Sequence, residues 1–359
     1  MRILHVITSL RTGGAEKLMV DLLPRLRDLG NEVELILFDG TRTPFYDELE
    51  KTGIRIHHLA IGGNVYNPLN IFKLIKYLKR YDIIHTHNTA CQYFAPIAKL
   101  LTKAKCKLYT TEHSTNNRRR KYKLFKTIDR YIYRKYNNII SISSNATESL
   151  INFIGANTNI ITIENGINIS KYINLKPTNF TIKERIITMV AGFREAKDQD
   201  TLIKAISQLP EYYKLWLVGD GVRRRVLEYL VKELNLTNRV KFWGIRNDIP
   251  QILEQSHVIV LSSHWEGLSL SSIEGMASGR PFIASDVDGL HEIVNDYGVL
   301  FPHEDAKTLA TEIKSLCENH DKYIFVANMC QERAKQYDIN IMANKYHKLY
   351  QNLVNRPIN

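Results

Sequence analysis

Cysteine is scarce in this chain of 359 residues: Cys91, Cys106, Cys317 and Cys330 are the whole complement, and none falls in a paired metal-ligand spacing. A disulfide scaffold and a cysteine-held metal are therefore not expected, and reduced, packed thiols in a cytoplasmic protein are. Long apolar runs are missing as well. The opening Met1-Arg2-Ile3-Leu4-His5-Val6-Ile7 is a short strand, far below the ~20 residues of a membrane span, and no later run reaches that length. Neither a leader nor a spanning helix is expected. The first turn holds Gly13-Gly14 but no G-x-G-x-x-G, which leaves a dinucleotide fingerprint unsupported. His85 and His87 alternate along one strand, and two histidines without a third ligand do not make a metal site.

Acidic residues are few in one half only. Residues 1–180 carry 27 Lys and Arg against 14 Asp and Glu, whereas residues 181–359 carry 22 against 23. The excess concentrates in Arg118, Arg119, Arg120, Lys121, Lys123 and Lys126 and continues through Arg130, Arg134 and Lys135, opposed only by Asp129. Tyr122, Phe125, Ile128, Tyr131, Ile132 and Tyr133 are interleaved with them. A solvated face is the plain reading of a charge run. The aromatic interleaving fits a cationic amphipathic helix on an anionic membrane surface. No RNA or DNA module accompanies the patch, so nucleic acid is not expected as a partner.

What is plentiful is alternation. Short β-branched runs at 2–7, 33–38, 54–59, 83–87, 107–111, 139–142 and 160–163 are separated by helical stretches, which implies a parallel sheet with helices on both faces. A polar, irregular stretch over 173–184, with Pro177, reads as a linker. The pattern restarts at Ile186–Val190 and runs on through Lys214–Val218 and Val240–Gly244. Two doubly wound Rossmann-like domains are expected, over 1–172 and 185–340, with a last helix within 341–359 returning to the first. Ligands of such domains sit at the carboxyl ends of the strands, across a cleft.

One stretch carries most of the chemistry. Val258-Ile259-Val260-Leu261 reads as a buried strand, and Gly267-Leu268-Ser269-Leu270 as a turn leading into a helix that stops at Gly279 and Pro281. Backbone N–H groups over 267–270 would meet an anion there. Glu266 and Glu274 flank the turn, placed for hydroxyls on either side. Ser271-x-x-Glu274 also fits a capping box, in which Glu274 would do nothing but satisfy a backbone N–H.

The block Glu266-x7-Glu274, followed by Met276-Ala277-Ser278-Gly279-Arg280-Pro281 and Gly289-Leu290-His291-Glu292, resembles the family 4 retaining glycosyltransferases of the GT-B fold. Gly13-Gly14-Ala15-Glu16, Thr111-Glu112-His113-Ser114, Glu164-Asn165-Gly166, Phe193-Arg194-x-x-Lys197, Gly219-Asp220-Gly221 and Phe242-Trp243-Gly244 agree in order, so the likeness covers nearly the whole chain. It implies transfer of a sugar from a nucleoside diphosphate sugar to an acceptor hydroxyl, with retention and by front-side attack. Arg194 and Lys197 would bind the diphosphate, Glu274 the ribose, Glu266 a sugar hydroxyl, and His113 would approach the reacting centre. Gly13, Gly14 and the Gly244-Ile245-Arg246 turn would complete the donor site. Arg194 stands three residues before Lys197, where many members carry the arginine five before; Gly192 takes that place.

The resemblance further implies a hexose or N-acetylhexosamine donor, with UDP favoured over GDP, and a glycan acceptor, lipid-linked at the inner membrane face, in bacterial surface-glycan assembly. Asp198-Gln-Asp200 and Asp286-Val-Asp288 look like D-x-D metal motifs, but their context matches metal-independent GT-B loops, so no cofactor or divalent ion is expected. A soluble acceptor, or a catalytically dead fold that binds membranes, remains the alternative.

Overall fold

Most strands of the chain are short and rich in apolar residues and most connections carry a helix, so the backbone buries its strands by laying them parallel between two helical layers. The computed structural model, which describes residues 1–113, 122–155, 159–176, 178, 180 and 183–354, shows this arrangement twice, in two compact units.

The first unit takes residues 1–166 and the chain from 339 onward. Its elements are β1 (Arg2–Ile7), α1 (Gly14–Asp28), β2 (Glu32–Asp39), α2 (Pro44–Glu50), β3 (Arg55–Ala60), α3 (Leu69–Leu78), β4 (Ile83–His87), α4 (Thr89–Thr102), β5 (Lys107–Glu112), α5 (Lys123–Tyr133), β6 (Asn138–Ser141), α6 (Ser144–Ile154) and β7 (Ile160–Thr162). The sheet order is β3-β2-β1-β4-β5-β6-β7, all parallel, and it reverses direction of winding between β1 and β4. Thr43 and Ser143 cap α2 and α6 through their side-chain oxygens, as the sequence signals for helix starts require.

The second unit, 167–338, contains β8 (Arg185–Val190), α7 (Gln199–Ser207), β9 (Tyr213–Val218), α8 (Arg224–Glu233), β10 (Val240–Gly244), α9 (Ile249–Glu254), β11 (Val258–Leu261), α10 (Leu270–Ala277), β12 (Phe282–Ser285), α11 (His291–Val294), β13 (Val299–Phe301), α12 (Ala306–Glu318) and α13 (His320–Ala334). Its order, β10-β9-β8-β11-β12-β13, places the switch point between β8 and β11. The last helix, α14 (Ile339–Val354), belongs to the first unit, where Met342, Tyr346 and Tyr350 join the core shared with α1.

The chain passes from one unit to the other at Gly166–Ile167, upstream of the polar 173–184 stretch read as a linker. Ile167, Ile169 and Tyr172 are buried in the second unit's core, which is why the boundary falls before them. No helix among the described residues is long and apolar enough to cross a membrane.

Candidate active site

In the second unit the loops after β8 and β11 flank the switch point, where an open parallel sheet offers its crevice. The first loop carries Arg194 into a short 3-10 turn, Glu195–Lys197, and Asp198 then adopts a left-handed conformation (φ 43°) to cap α7, accepting from Thr201 N–H. Three ties hold it to the second loop. Ser262 Oγ donates to the Asp198 carbonyl at 2.6 Å, His264 N–H donates to the Ala196 carbonyl at 2.9 Å, and the Lys197 ammonium donates to Glu266 Oε1. Ser263 Oγ donates to the same carboxylate oxygen at 2.7 Å. Lys197 and Glu266, 69 residues apart, thus form one partly buried ion pair.

The helix after this loop begins at Leu270, one residue past Ser269, whose backbone is extended. The free N–H groups of its first turn therefore start at Leu270, at the end of the 267–270 stretch predicted to meet an anion. Gly267 packs against the loop that follows β12. Gly289 (φ 82°) passes so close that a Cβ there would stand 2.3 Å from the Glu266 carbonyl oxygen and 2.5 Å from that of Gly267. Only glycine fits. The capping box suggested by Ser271-x-x-Glu274 is not formed, because Ser271 lies inside the helix. Glu274 instead is buried, and its Oε1 accepts from the Tyr172 hydroxyl at 2.8 Å.

The remaining donor-site candidates of this unit lie on neighbouring strand ends. Gly219 N–H donates to the Gly244 carbonyl at 2.8 Å, and Cβ atoms at Gly219 or Gly221 would strike the carbonyls of Ala191 or Phe193. Gly244 (φ 68°) turns the chain outward, leaving Ile245 exposed and Arg246 in a two-point contact with Asp248.

In the first unit the switch point lies between β1 and β4. Gly13 precedes α1 and Gly14 opens it. The Glu16 carboxylate fills the space a Gly13 side chain would need and accepts from Asn88 Nδ2, which also donates to Thr8 Oγ1 at 3.0 Å. His113 follows β5 and is not alone. His87 Nδ1 lies 2.9 Å from His113 Nε2, and His5 Nδ1 lies 2.9 Å from His87 Nε2, with the His5 and His87 rings within 9° of coplanar. His85 stacks beside both, and its two nitrogens meet Tyr350 Oη at 2.5 Å and Thr111 Oγ1 at 2.8 Å. Burial lowers all four: His5 to about 3, His113 to about 4, and His85 and His87 well below the ordinary value. His5 supplies a third histidine beside the pair seen in the sequence. One nitrogen of each of the three lies within 4.8 Å of the others, and both nitrogens of His85 already meet hydroxyls.

Comparison with known proteins gives the family and the fold. The profile Glycosyltransferase Family 4 matches residues 12–171, and Glycosyl transferases group 1 matches residues 172–337. The chain belongs to the family 4 glycosyltransferases. It is 26% identical over 83% of its length to an Escherichia coli UDP-Gal:alpha-D-GlcNAc-diphosphoundecaprenol alpha-1,3-galactosyltransferase, covering 82% of that protein. It is 23% identical over 94% of its length to N-acetyl-alpha-D-glucosaminyl L-malate synthase of Bacillus anthracis, covering 93% of it. Its fold matches that of Anabaena Alr3699/HepE in complex with UDP and glucose, with a TM-score of 0.87 at 22% identity over 98% of this chain and 100% of that one. The fold of this glycosyltransferase is GT-B, built from its two Rossmann-like units.

Within this family 4 chain, Arg194, Lys197, Glu266 and the start of α10 come together on one unit, whereas Gly13, Gly14 and His113 stand on strand ends of the other. Arg118, Arg119, Arg120 and Lys121 lie outside the described residues; Lys123 opens α5 and Lys126 is half-buried on it. Sequence reasoning misses Tyr172 and His5. Tyr172 sits outside any periodic segment, and His5 becomes visible only through the β1–β4 register, which pairs His5 with His85.

Proposed function

We propose that this glycosyltransferase moves a hexose or N-acetylhexosamine from a UDP-sugar to a hydroxyl of a lipid-linked glycan acceptor, with retention and without a metal ion, in assembly of a bacterial surface glycan. The observation that carries the reading is the clustering of Lys197, Glu266 and the first turn of α10 at the β8/β11 switch point, with Arg194 on the same loop.

The anomeric carbon–oxygen bond to the β-phosphate breaks, negative charge grows on the departing diphosphate, and the acceptor oxygen bonds to the same face of the sugar. Its proton passes to a phosphate oxygen. Fixed cations and N–H donors accelerate such a step by being in place before the charge develops. Lys197 and Arg194 supply the cations, and the α10 amides the donors. Glu266, already aligned by Ser263, takes a sugar hydroxyl; Glu274, aligned by Tyr172, takes the ribose. In this reading the two cations and the α10 amides take the role that a divalent ion plays elsewhere.

The acceptor class rests on the diphosphoundecaprenol-linked substrate in the name of the E. coli relative, and on α5. The exposed residues of α5 include Phe125, Ile128, Arg130 and Tyr131, while its acid, Asp129, is buried and accepts from Tyr93. An outward face with cations, aromatics and no acid suits the inner surface of an anionic membrane. A soluble acceptor is the second reading, supported by the L-malate product of the Bacillus relative.

The test is thermal unfolding with UDP, GDP, ADP and CMP, with and without EDTA. A ligand at 100 times its Kd adds about 2.7 kcal/mol to the folded state. A midpoint raised by UDP alone and indifferent to EDTA is the expected result. A shift that vanishes with EDTA would remove the metal-free mechanism. Transfer assays with an undecaprenyl diphosphate sugar and with small hydroxy acids then separate the two acceptor classes.

A further inference from the structure

The three imidazoles His5, His87 and His113 run end to end from the core of the first unit to the carboxyl end of β5, joined by two nitrogen–nitrogen hydrogen bonds. Each ring is neutral, so each carries one proton, and every bond needs one donor and one acceptor. Only two arrangements satisfy both bonds. In one, His5 Nδ1–H donates to His87 Nε2, His87 Nδ1–H donates to His113 Nε2, and His113 carries its proton on Nδ1. In the other every proton is reversed: His113 donates from Nε2, His87 donates from Nε2, and His5 must carry its proton on Nε2.

The far end of the row decides between them. His5 Nε2 is buried and has no hydrogen-bond partner among the described residues. The second arrangement would leave a polar N–H orphaned there, the rarer and costlier defect in protein interiors. The first leaves only a bare lone pair there. Flipping the His5 ring is no escape, since it would turn Cδ2 toward His87 Nε2 and lose the bond between the two rings.

We propose that His5 and His87 are positioning residues that fix His113 as the Nδ1–H tautomer, so that His113 meets a ligand oxygen as a hydrogen-bond donor and never as a base. Among the described residues nothing hydrogen-bonds to His113 Nδ1, which leaves that proton for the ligand. The inference rests on the reading of His113 as a group that approaches the reacting sugar; in that role a fixed donor holds a sugar hydroxyl or the leaving oxygen and takes no proton from the acceptor.

The experiment is a multiple-bond nitrogen–proton correlation spectrum of the full chain labelled with ring-15N histidine, at pH 7.5, with His113 assigned by the signal lost in His113→Gln. The expected result is a His113 proton on Nδ1 in the wild type. In His5→Phe, which keeps an aromatic ring on His85 but removes the donor that sets the direction, His113 should shift to a mixture of tautomers. A wild-type His113 protonated on Nε2, or an equal mixture, overturns the proposal, and needs no variant to fold. An unchanged His113 in a folded His5→Phe protein removes His5 from it. Initial rates of UDP-glucose hydrolysis separate the two readings. A His113→Ala enzyme with unaltered rates, beside a wild-type Nδ1–H signal, would end the sugar-contact role of His113 and leave the tautomer assignment standing.

Discussion

Lys197 and Glu266 form an ion pair across the loops that follow β8 and β11. The pair has two consequences that oppose one another. It holds both side chains at the switch point, and it must loosen when a diphosphate claims the ammonium. Lys197→Ala should abolish the UDP-induced rise in midpoint and lower turnover by at least 100-fold, because transition-state charge loses its nearest fixed cation. It should also destabilise the fold by about 1–3 kcal/mol, since the largely buried Glu266 carboxylate keeps Ser263 and loses its counter-charge. Adding Glu266→Gln to Lys197→Ala should recover most of that stability and none of the activity, as measured by urea unfolding and initial rates. Recovery of activity in the double variant would contradict the assignment of Lys197 to the diphosphate.

Tyr172 presents a different case, a residue that touches no ligand in the proposed site yet orients one that does. Its hydroxyl donates to the buried Glu274 carboxylate at 2.8 Å. Tyr172→Phe should weaken UDP binding about tenfold, or about 1.4 kcal/mol. The decisive comparison uses deoxyribose analogues. Wild type should prefer UDP over its 2′- and 3′-deoxy forms, and Glu274→Ala should bind all three alike. Calorimetry that finds the preference intact in Glu274→Ala would move the ribose contact elsewhere.

How far the sequence foretells this site depends on distance along the chain. The runs that form β1, β4, β8 and β11 are legible because central parallel strands are buried on both faces and carry Ile, Val and Leu in close succession. Glu266 and Glu274 are legible because they share one short strand–turn–helix segment. Strands β12 and β13, of four and three residues, are too short to show any period. His5 and Tyr172 depend on pairings over 80 and 102 residues, and no local pattern encodes those. The linker is misplaced for a related reason: the 173–184 stretch is polar, but Tyr172 just before it is already buried in the second core, a fact of packing and not of composition.

The histidine row also sets a pH dependence. Folded-state values of about 3 for His5 and about 4 for His113, with His85 and His87 also low, lie beneath the 6.5 of an unfolded chain. Between those limits the unfolded chain binds protons that the folded chain refuses. The stability these rings contribute is therefore complete above pH 6.5 and is lost as pH falls, at about 1.4 kcal/mol per ring for each pH unit. The exposed His291, raised by Asp286, works in the opposite sense and is screened by solvent. Urea midpoints at pH 7.5, 6.5 and 5.5 should fall steadily, and more gently in His5→Phe. A midpoint that is flat or rises toward pH 5.5 would mean the row is protonated in the folded state.

The outward face of α5 gives the last prediction. Lys126 and Arg130 stand among Tyr122, Phe125, Ile128 and Tyr131, and the acid of the helix is turned inward onto Tyr93. Near an anionic leaflet each cation contributes about 1 kcal/mol, so removing two should lower the partition coefficient about thirtyfold. Co-sedimentation with phosphatidylglycerol vesicles at low salt should show this for Lys126→Gln with Arg130→Gln, while neutral phosphatidylcholine vesicles bind neither protein. Replacing Tyr131 by serine tests the apolar share of the same face, and that loss should persist at high salt, where the charge effect is screened. Equal binding of wild type and double variant to anionic vesicles would make α5 an ordinary solvated face and leave the acceptor to be found in solution.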